Sequence, residues 1–345
     1  MAYTTINKST EHFNTKLYTG NGSTQSITGV GFQPDFTWLK SRNNTYDNFL
    51  YDAVRGQGKY LQSNRTSAEA DTDQMTSFDS DGYTVGVTGG VATNGSGSTM
   101  ASWNWKANGA GSANTAGSIN STVSANTTSG FSIVSYTGTG SLATVGHGLG
   151  VAPAMIIIKN RSTTNGWEVY HQSLGNTKYM QLHTTSAEGT SATRWNNTSP
   201  TSTVFTVNTE GGVNSSGGNL IAYCFSEVKG YSKFSSYTGN GNADGTFVYT
   251  GFKPAFVMLK NTTTAASWLM YDNKRLGYNV DNNELVANTS AAEETYDQID
   301  ILSNGFKMRA NGTSTNKSGD TFIYMAFAEA PLVGGTGAGV PCTAR

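Results

Sequence analysis

Gly31-Phe32-Gln33-Pro34-Asp35-Phe36-Thr37-Trp38-Leu39-Lys40 leads the chain through a turn into a short apolar run and closes on a lysine. The pattern returns as Gly150-Val151-Ala152-Pro153-Ala154-Met155-Ile156-Ile157-Ile158-Lys159 and as Gly251-Phe252-Lys253-Pro254-Ala255-Phe256-Val257-Met258-Leu259-Lys260. The Gly/Pro pair belongs to a turn, because proline has no N–H for a sheet ladder, and the aromatic or β-branched run after it is strand material. In the second copy the run is apolar from Met155 to Ile158, which predicts a strand buried on both faces.

Working outward, each copy is preceded by a Tyr-Thr-Gly turn, at Tyr18-Thr19-Gly20, Tyr136-Thr137-Gly138 and Tyr237-Thr238-Gly239. Each is followed, 17 residues after Pro34, Pro153 or Pro254, by Tyr51, Tyr170 or Tyr271 at the end of a second strand. The copies also end alike. A Gly-rich turn delivers Met100-Ala101-Ser102-Trp103-Asn104-Trp105, Leu220-Ile221-Ala222-Tyr223-Cys224-Phe225 and Phe322-Ile323-Tyr324-Met325-Ala326-Phe327, in which large residues alternate with small or polar ones. Ser80-Asp81-Gly82-Tyr83 and Ser303-Asn304-Gly305-Phe306 read as hairpin turns. The stretches at Ser67-Ala68-Glu69, Ser186-Ala187-Glu188 and Ser290-Ala291-Ala292-Glu293 suit either a helical turn or a polar loop, and no window sustains a helical period.

A triplicated unit of about 100 residues, built from short strands at loop-sized intervals, predicts an all-β chain of three tandem β-sandwich modules, jelly-roll-like, arranged in series. The predicted divisions are an N-terminal arm (1–12), repeat 1 (13–107), a Gly/Ser/Ala/Thr linker or surface insertion (108–130), repeat 2 (131–228), repeat 3 (234–330) and a Gly-rich tail (331–345).

Charge is sparse and balanced, net −1, which leaves no electrostatic footprint for nucleic acid or an anionic membrane. No apolar run suits a membrane-spanning helix, and Met1-Ala2-Tyr3-Thr4-Thr5-Ile6 lacks the features of a signal peptide. The two cysteines, Cys224 in a core-like strand and Cys342 in the tail, are expected to be free thiols.

His12, His147, His171 and His183 fall at no metal-ligand spacing, and no metal or other cofactor is expected. His171 stands where the other copies have Asp52 and Asp272. Those aspartates suit turn capping better than Ca²⁺. A glycan depolymerase would need paired carboxylates, for which Asp71, Asp73, Asp79 and Asp81, or Glu293, Glu294 and Asp297, are the candidates, but no such set is shared by the three copies. The expectation is a protein without enzymatic activity. Trp38, Trp103, Trp105, Trp167 and Trp268 sit at strand positions and are assigned to cores. Trp195, in a polar stretch beside Arg194, is the candidate for receptor contact, with Arg55 and Tyr46 as further surface candidates.

The first copy resembles a repeat common in structural proteins of marine tailed bacteriophages. The residues that carry the resemblance are Tyr18-Thr19-Gly20-Asn21-Gly22, Ile27 to Lys40, Tyr51-Asp52-Ala53-Val54-Arg55-Gly56, Asp79-Ser80-Asp81-Gly82-Tyr83 and Trp103-Asn104-Trp105-Lys106. The second copy loses the Asp-Ala-Val-Arg-Gly segment, and the third keeps Tyr271-Asp272 with Arg275 nearby. The resemblance implies a protein made in the cytoplasm of an infected bacterium and carried on the virion surface. It implies a tail-fibre or receptor-binding role, or alternatively capsid decoration or a head fibre. The expected partners are other virion proteins, further copies of the chain in a homotrimer, and a host-surface glycan or outer-membrane protein, with no nucleic acid and no membrane insertion.

Overall fold

The computed structural model describes residues 4–86, 91–275 and 282–331. Strands make up 45% of the chain and helices 3%, in several antiparallel sheets. Each repeat contributes one large sheet with the same strand order. In repeat 1 the order runs Phe13–Thr19, Thr99–Trp105, Phe36–Ser41, Phe49–Asp52, Lys59–Gln62, Ala70–Asp71. The run after the motif proline therefore lies between the last strand of its repeat and the strand that carries the motif tyrosine. In repeat 3 the strand Phe252–Asn261 begins before Pro254 and tolerates it at a bulge, where the pairing register slips on either side of the proline.

Alternation along these strands sorts their side chains to two faces. Outward-facing residues meet a small second sheet: Gln25–Thr28, Gly82–Val85 and Met75–Asp79 in repeat 1, Ala143–Gly146 and Val204–Val207 in repeat 2, and Phe247–Tyr249, Gly305–Met308 and Ile299–Leu302 in repeat 3. Each repeat thereby has an apolar cluster of its own, for example Leu39, Tyr51 and Tyr83, or Ile156, Ile158 and Phe205, or Val257, Leu259 and Phe306. The inward-facing residues of all three large sheets share one further core: Phe36, Trp38, Trp103 and Trp105 with Ile157, Trp167, Tyr223 and Phe225 and with Phe256, Met258, Trp268 and Phe327. Ring contacts close the circuit, Phe36 on Tyr223 at 4.3 Å, Phe225 near Phe327 at 6.0 Å and Phe327 on Phe13 at 5.1 Å between centroids. The repeats thus surround a common centre and do not stand in a row. Met155–Asn160 is buried throughout, as its sequence predicts, because one face meets the repeat's own cluster and the other the shared core.

Two boundary segments are built into the fold. Residues 108–130 hold regular structure: Ser112–Asn114 and Ser121–Asn126 add two strands to the edge of the second large sheet, with Ser121 to Asn126 paired against Tyr136 to Phe131. A buried Ser124 shows why composition marks them weakly, since its hydroxyl accepts from the Asn108 N–H and serves the interior as an apolar side chain does elsewhere. The arm is packed from residue 4 onward, with Ile6 in the shared core and the 3₁₀ turn Ser9–Glu11 in contact with the last strand. Residues 1–3 and the tail from 332, including Cys342, lie outside the described residues. Cys224 is a buried free thiol. No described helix is long and apolar enough to cross a membrane.

Candidate functional site

The polar chemistry of this chain concentrates where repeats meet. The lysine that closes each motif is buried, and its Nζ donates to one carbonyl of its own repeat and one of a neighbour. Lys40 donates to Tyr46 (2.7 Å) and Ser290 (3.1 Å), Lys159 to Asn165 (2.7 Å) and Thr66 (3.0 Å), and Lys260 to Ala266 (2.7 Å) and Thr185 (2.9 Å). The neighbour is the third, first and second repeat in turn, so the contacts run cyclically around the centre. Burial pushes each of these amines down to about 8.

The Ser-Ala-Glu stretches are polar loops, not helices, and they stitch the same junctions: the N–H groups of Glu69, Glu188 and Glu293 donate to the carbonyls of Arg161, Thr262 and Arg42. At two junctions a charged network follows. Between repeats 1 and 2, Arg55 pairs with Asp52 and donates to Glu69 (3.2 Å), while Arg161 holds Glu69 by two prongs of 2.8 and 2.7 Å. Between repeats 3 and 1, Arg275 pairs with Asp272 (2.6 Å) and Glu293 (3.0 Å), while Arg42 holds Glu293 at 2.9 and 2.7 Å. Each aspartate also accepts from the next repeat, Asp52 from the Tyr223 hydroxyl (2.8 Å) and Asp272 from the Trp103 indole (3.0 Å). Burial pushes the Glu69 carboxyl up, but the hydrogen bonds and charges of Arg161 and Arg55 outweigh it and hold the group below its ordinary range.

The third junction, between repeats 2 and 3, has exchanged the set together. His171 replaces the aspartate, Leu174 the arginine, Thr262 the second arginine, and Met325 the Trp103 or Tyr223 partner. The His171 Nδ1 accepts from the Ser173 N–H, and its Nε2 donates to the Tyr324 carbonyl at 3.2 Å. Burial pushes this imidazole down to about 4. Glu188, left without an arginine, pairs with Lys178 of its own repeat.

The Tyr-Thr-Gly turns form clasps. The hydroxyls of Tyr18, Tyr136 and Tyr237 donate to the carbonyls of Thr93, Val213 and Thr315, one residue before Asn94, Asn214 and Asn316. Those asparagines donate back to Ser23, Ser141 and Asn242. The glycine is required by space: a Cβ on Gly20, Gly138 or Gly239 would stand 2.3, 2.3 or 2.2 Å from a carbonyl oxygen.

The receptor-contact candidates are corrected by their burial. Trp195 lies in the four-residue helix Ala192–Trp195, 2% exposed, with its indole donating to the Lys178 carbonyl and its ring edge-on to Tyr170. Arg194 is buried against Glu168 (2.6 Å) and stacked on Tyr179. Arg55 is buried in its ion pair, so neither arginine presents a free cation. Tyr46 is half-buried, and the part of it that the junction uses is its carbonyl. Pro34, Pro153, Pro254, Tyr51, Tyr170 and Tyr271 are all buried scaffold residues. Asp52 and Asp272 are ion-pair partners. Asp79 accepts from Thr84, and Asp81 accepts from the N–H groups of Gly29 and Gly31. Asp71 and Asp73 line a small polar recess beside Arg55. Among the described residues no group of three or more His, Cys, Asp or Glu is placed to hold a metal ion. The residues missed from sequence are Arg42 and Arg161, and with them the role of Glu69 and Glu293 as their partners. Their signal was an arginine two places after the motif lysine in two copies of three.

A protein-family model described as a domain of unknown function (DUF7483) matches residues 8–331, a segment that takes in all three repeats. No curated protein matches the chain.

Proposed function

The chain belongs to the DUF7483 family, a domain of unknown function, and we propose that it is a non-enzymatic structural protein of the outer surface of a phage particle, of the adhesion type found in tail fibres and receptor-binding proteins. In this reading each repeat is a β-sandwich module, and the three modules close into one ring. The observation that carries it is where the charged chemistry lies: the arginines, lysines and acids that recur between copies hold repeats to one another. Such a design stiffens a scaffold and leaves loops and outer sheets to vary, which is how surface proteins present contact residues. The resemblance of the first repeat to phage structural repeats supports the location. Surface proteins commonly obtain threefold symmetry by association of three chains. Here one chain approximates it, so the proposal no longer requires a homotrimer.

The closed ring favours one second reading, a capsid decoration protein, because a compact unit suits a site on a shell better than a long fibre. Antibody labelling of intact particles, viewed by electron microscopy, separates the two. Label at the tail supports adhesion, label over the head supports decoration, and particles that carry none of the protein overturn both.

A further inference from the structure

The three repeats provide an internal control for what the fold itself requires of the small outer sheet. In repeat 1 the outward positions of its edge strand are Ser26 and Thr28, opposite Thr84 and Gly82. In repeat 2 the equivalent positions are Thr144 and Gly146, but there the added segment covers them: Ile119 bridges to Val145, Ser118 bonds to Thr144, and Asn114 lies against a buried Gly146. Small and hydroxyl side chains therefore satisfy the open edge strand of repeat 1. In repeat 3 the same positions hold Phe247 and Tyr249, opposite Lys307 and Gly305, and these two residues are 45% and 51% exposed. Single exposed apolar residues need no explanation, but two on alternate positions of one strand form a platform, their Cα atoms about 7 Å apart.

The neighbouring groups indicate what would lie on it. Lys307 pairs with Asp244, and Arg309 with Asp300 at 3.4 Å; Asp300 sits opposite Lys307 in the next strand. Each cation has its carboxylate, and Asp297 lies near Asp300 as a further acid, so this edge offers donors and acceptors without an excess of positive charge. That excludes the electrostatic attraction a nucleic acid, an acidic peptide or an anionic lipid surface would use. A saccharide matches it: its C–H face is weakly positive and lies against the negative face of an aromatic ring, while its hydroxyls reach the flanking ionic groups.

We propose that Phe247 and Tyr249, flanked by the Lys307–Asp244 and Arg309–Asp300 pairs, form a binding platform for a neutral glycan. The inference rests on the adhesion reading and gives it a site in place of the buried Trp195. Phe247→Ser with Tyr249→Thr installs what repeat 1 already carries, so the variant is expected to fold, and an unchanged melting temperature verifies that. The probe is a printed array of bacterial O-antigen and capsular saccharides, applied to the full chain.

The expected result is binding of wild type to at least one neutral saccharide, weakened tenfold or more in the double variant and also reduced by Lys307→Thr. Undiminished binding by the folded double variant overturns this site while leaving adhesion standing. No binding by wild type overturns the glycan proposal, and tail labelling alongside that result would assign the platform to a protein partner. Absence of label from the particle would instead remove the adhesion reading itself.

Discussion

Arg161 of repeat 2 grips Glu69 of repeat 1 with two parallel hydrogen bonds, Nε to Oε2 at 2.8 Å and Nη2 to Oε1 at 2.7 Å. Arg42 repeats the geometry on Glu293 across the junction of repeats 1 and 3. Thr262 faces Glu188 at the remaining junction with a backbone hydrogen bond alone. The charged partners beneath have changed with it, since His171, Leu174 and Met325 stand where the other junctions carry an aspartate, an arginine and an aromatic donor. Buried charges are stable only as complete sets, so loss of one member favours loss of the rest.

That logic makes the internal replacement a guide to mutation. Arg55→Leu alone leaves Asp52 buried without its counter-ion and is expected to destabilise the chain by about 3–5 kcal/mol. Asp52→His with Arg55→Leu reproduces the pair His171 and Leu174 and is expected to recover a substantial part of that loss. Urea unfolding of the wild type, both single variants and the double variant measures the coupling. A double variant no better than the sum of the singles would contradict the account of the junction as a unit.

Much of this architecture is legible in the sequence because it recurs there. The motif run, the strand that carries Tyr51, Tyr170 or Tyr271, and the alternating last strand each occupy the expected place. What periodicity could not convey is that both faces of the large sheets are interior. Trp38 and Leu39 look alike as apolar residues, yet one enters the shared core and the other the cluster of its own repeat. The error at Trp195 has a similar origin. Thr193, Asn196 and Asn197 make the segment read as a surface loop, but a short capped helix turns the indole inward to a backbone carbonyl 3.1 Å away. The strands in 108–130 carry little apolar signal, because Ser121–Asn126 buries Ser121 and Ser124 beside Val123 and Ser112–Asn114 buries no side chain.

The clasp glycines give a second prediction. Gly20→Ala, Gly138→Ala and Gly239→Ala each bring a methyl group to 2.2–2.3 Å from a carbonyl oxygen, and backbone must move to accept it. Each is expected to cost about 1–3 kcal/mol. Thermal unfolding should rank all three well below Gly97→Ala. There an added Cβ meets nothing within 4 Å, and only the positive φ of 76° opposes it.

Trp195→Ala distinguishes scaffold from contact residue. Removal of a buried indole is expected to cost about 3–5 kcal/mol. Saccharide binding by the fraction that remains folded should be unchanged. Loss of binding without loss of stability would return Trp195 to the role its sequence context suggested.

The motif lysines predict an unusual alkaline response. Lys40, Lys159 and Lys260 are held at about 8 in the folded chain, against an ordinary value of 10.5. Between those values the unfolded chain binds more protons, so stability rises with pH across that window. The trend reverses as the buried tyrosines, whose hydroxyls burial holds above 10, begin to ionise in the unfolded chain. Urea unfolding at pH 7.5 and 9.5 should therefore show greater stability at the higher pH, and Lys159→Met should reduce the slope by about a third. A flat profile would mean that the amines are not desolvated as their burial indicates.

Acid should act at the junction that lacks the arginine–carboxylate network. His171 is held at about 4 against an ordinary value of 6.5. The unfolded chain therefore binds its proton first as pH falls, and the contribution, about 3 kcal/mol at neutral pH, is lost between pH 6.5 and 4. His12, His147 and His183 are lowered too, so the whole-chain profile is a sum. The difference between wild type and His171→Gln isolates one group, because glutamine keeps a donor for the Tyr324 carbonyl and an acceptor for the Ser173 N–H but does not titrate. Subtracting the two unfolding free energies across pH 7 to 4 should leave a decline that approaches one proton per molecule. Tyr324 belongs to repeat 3 and His171 to repeat 2, so hydrogen exchange at pH 4.5 should rise first along Trp167–His171 and Thr321–Pro331. Exchange that rises equally at all three junctions would locate the acid sensitivity elsewhere.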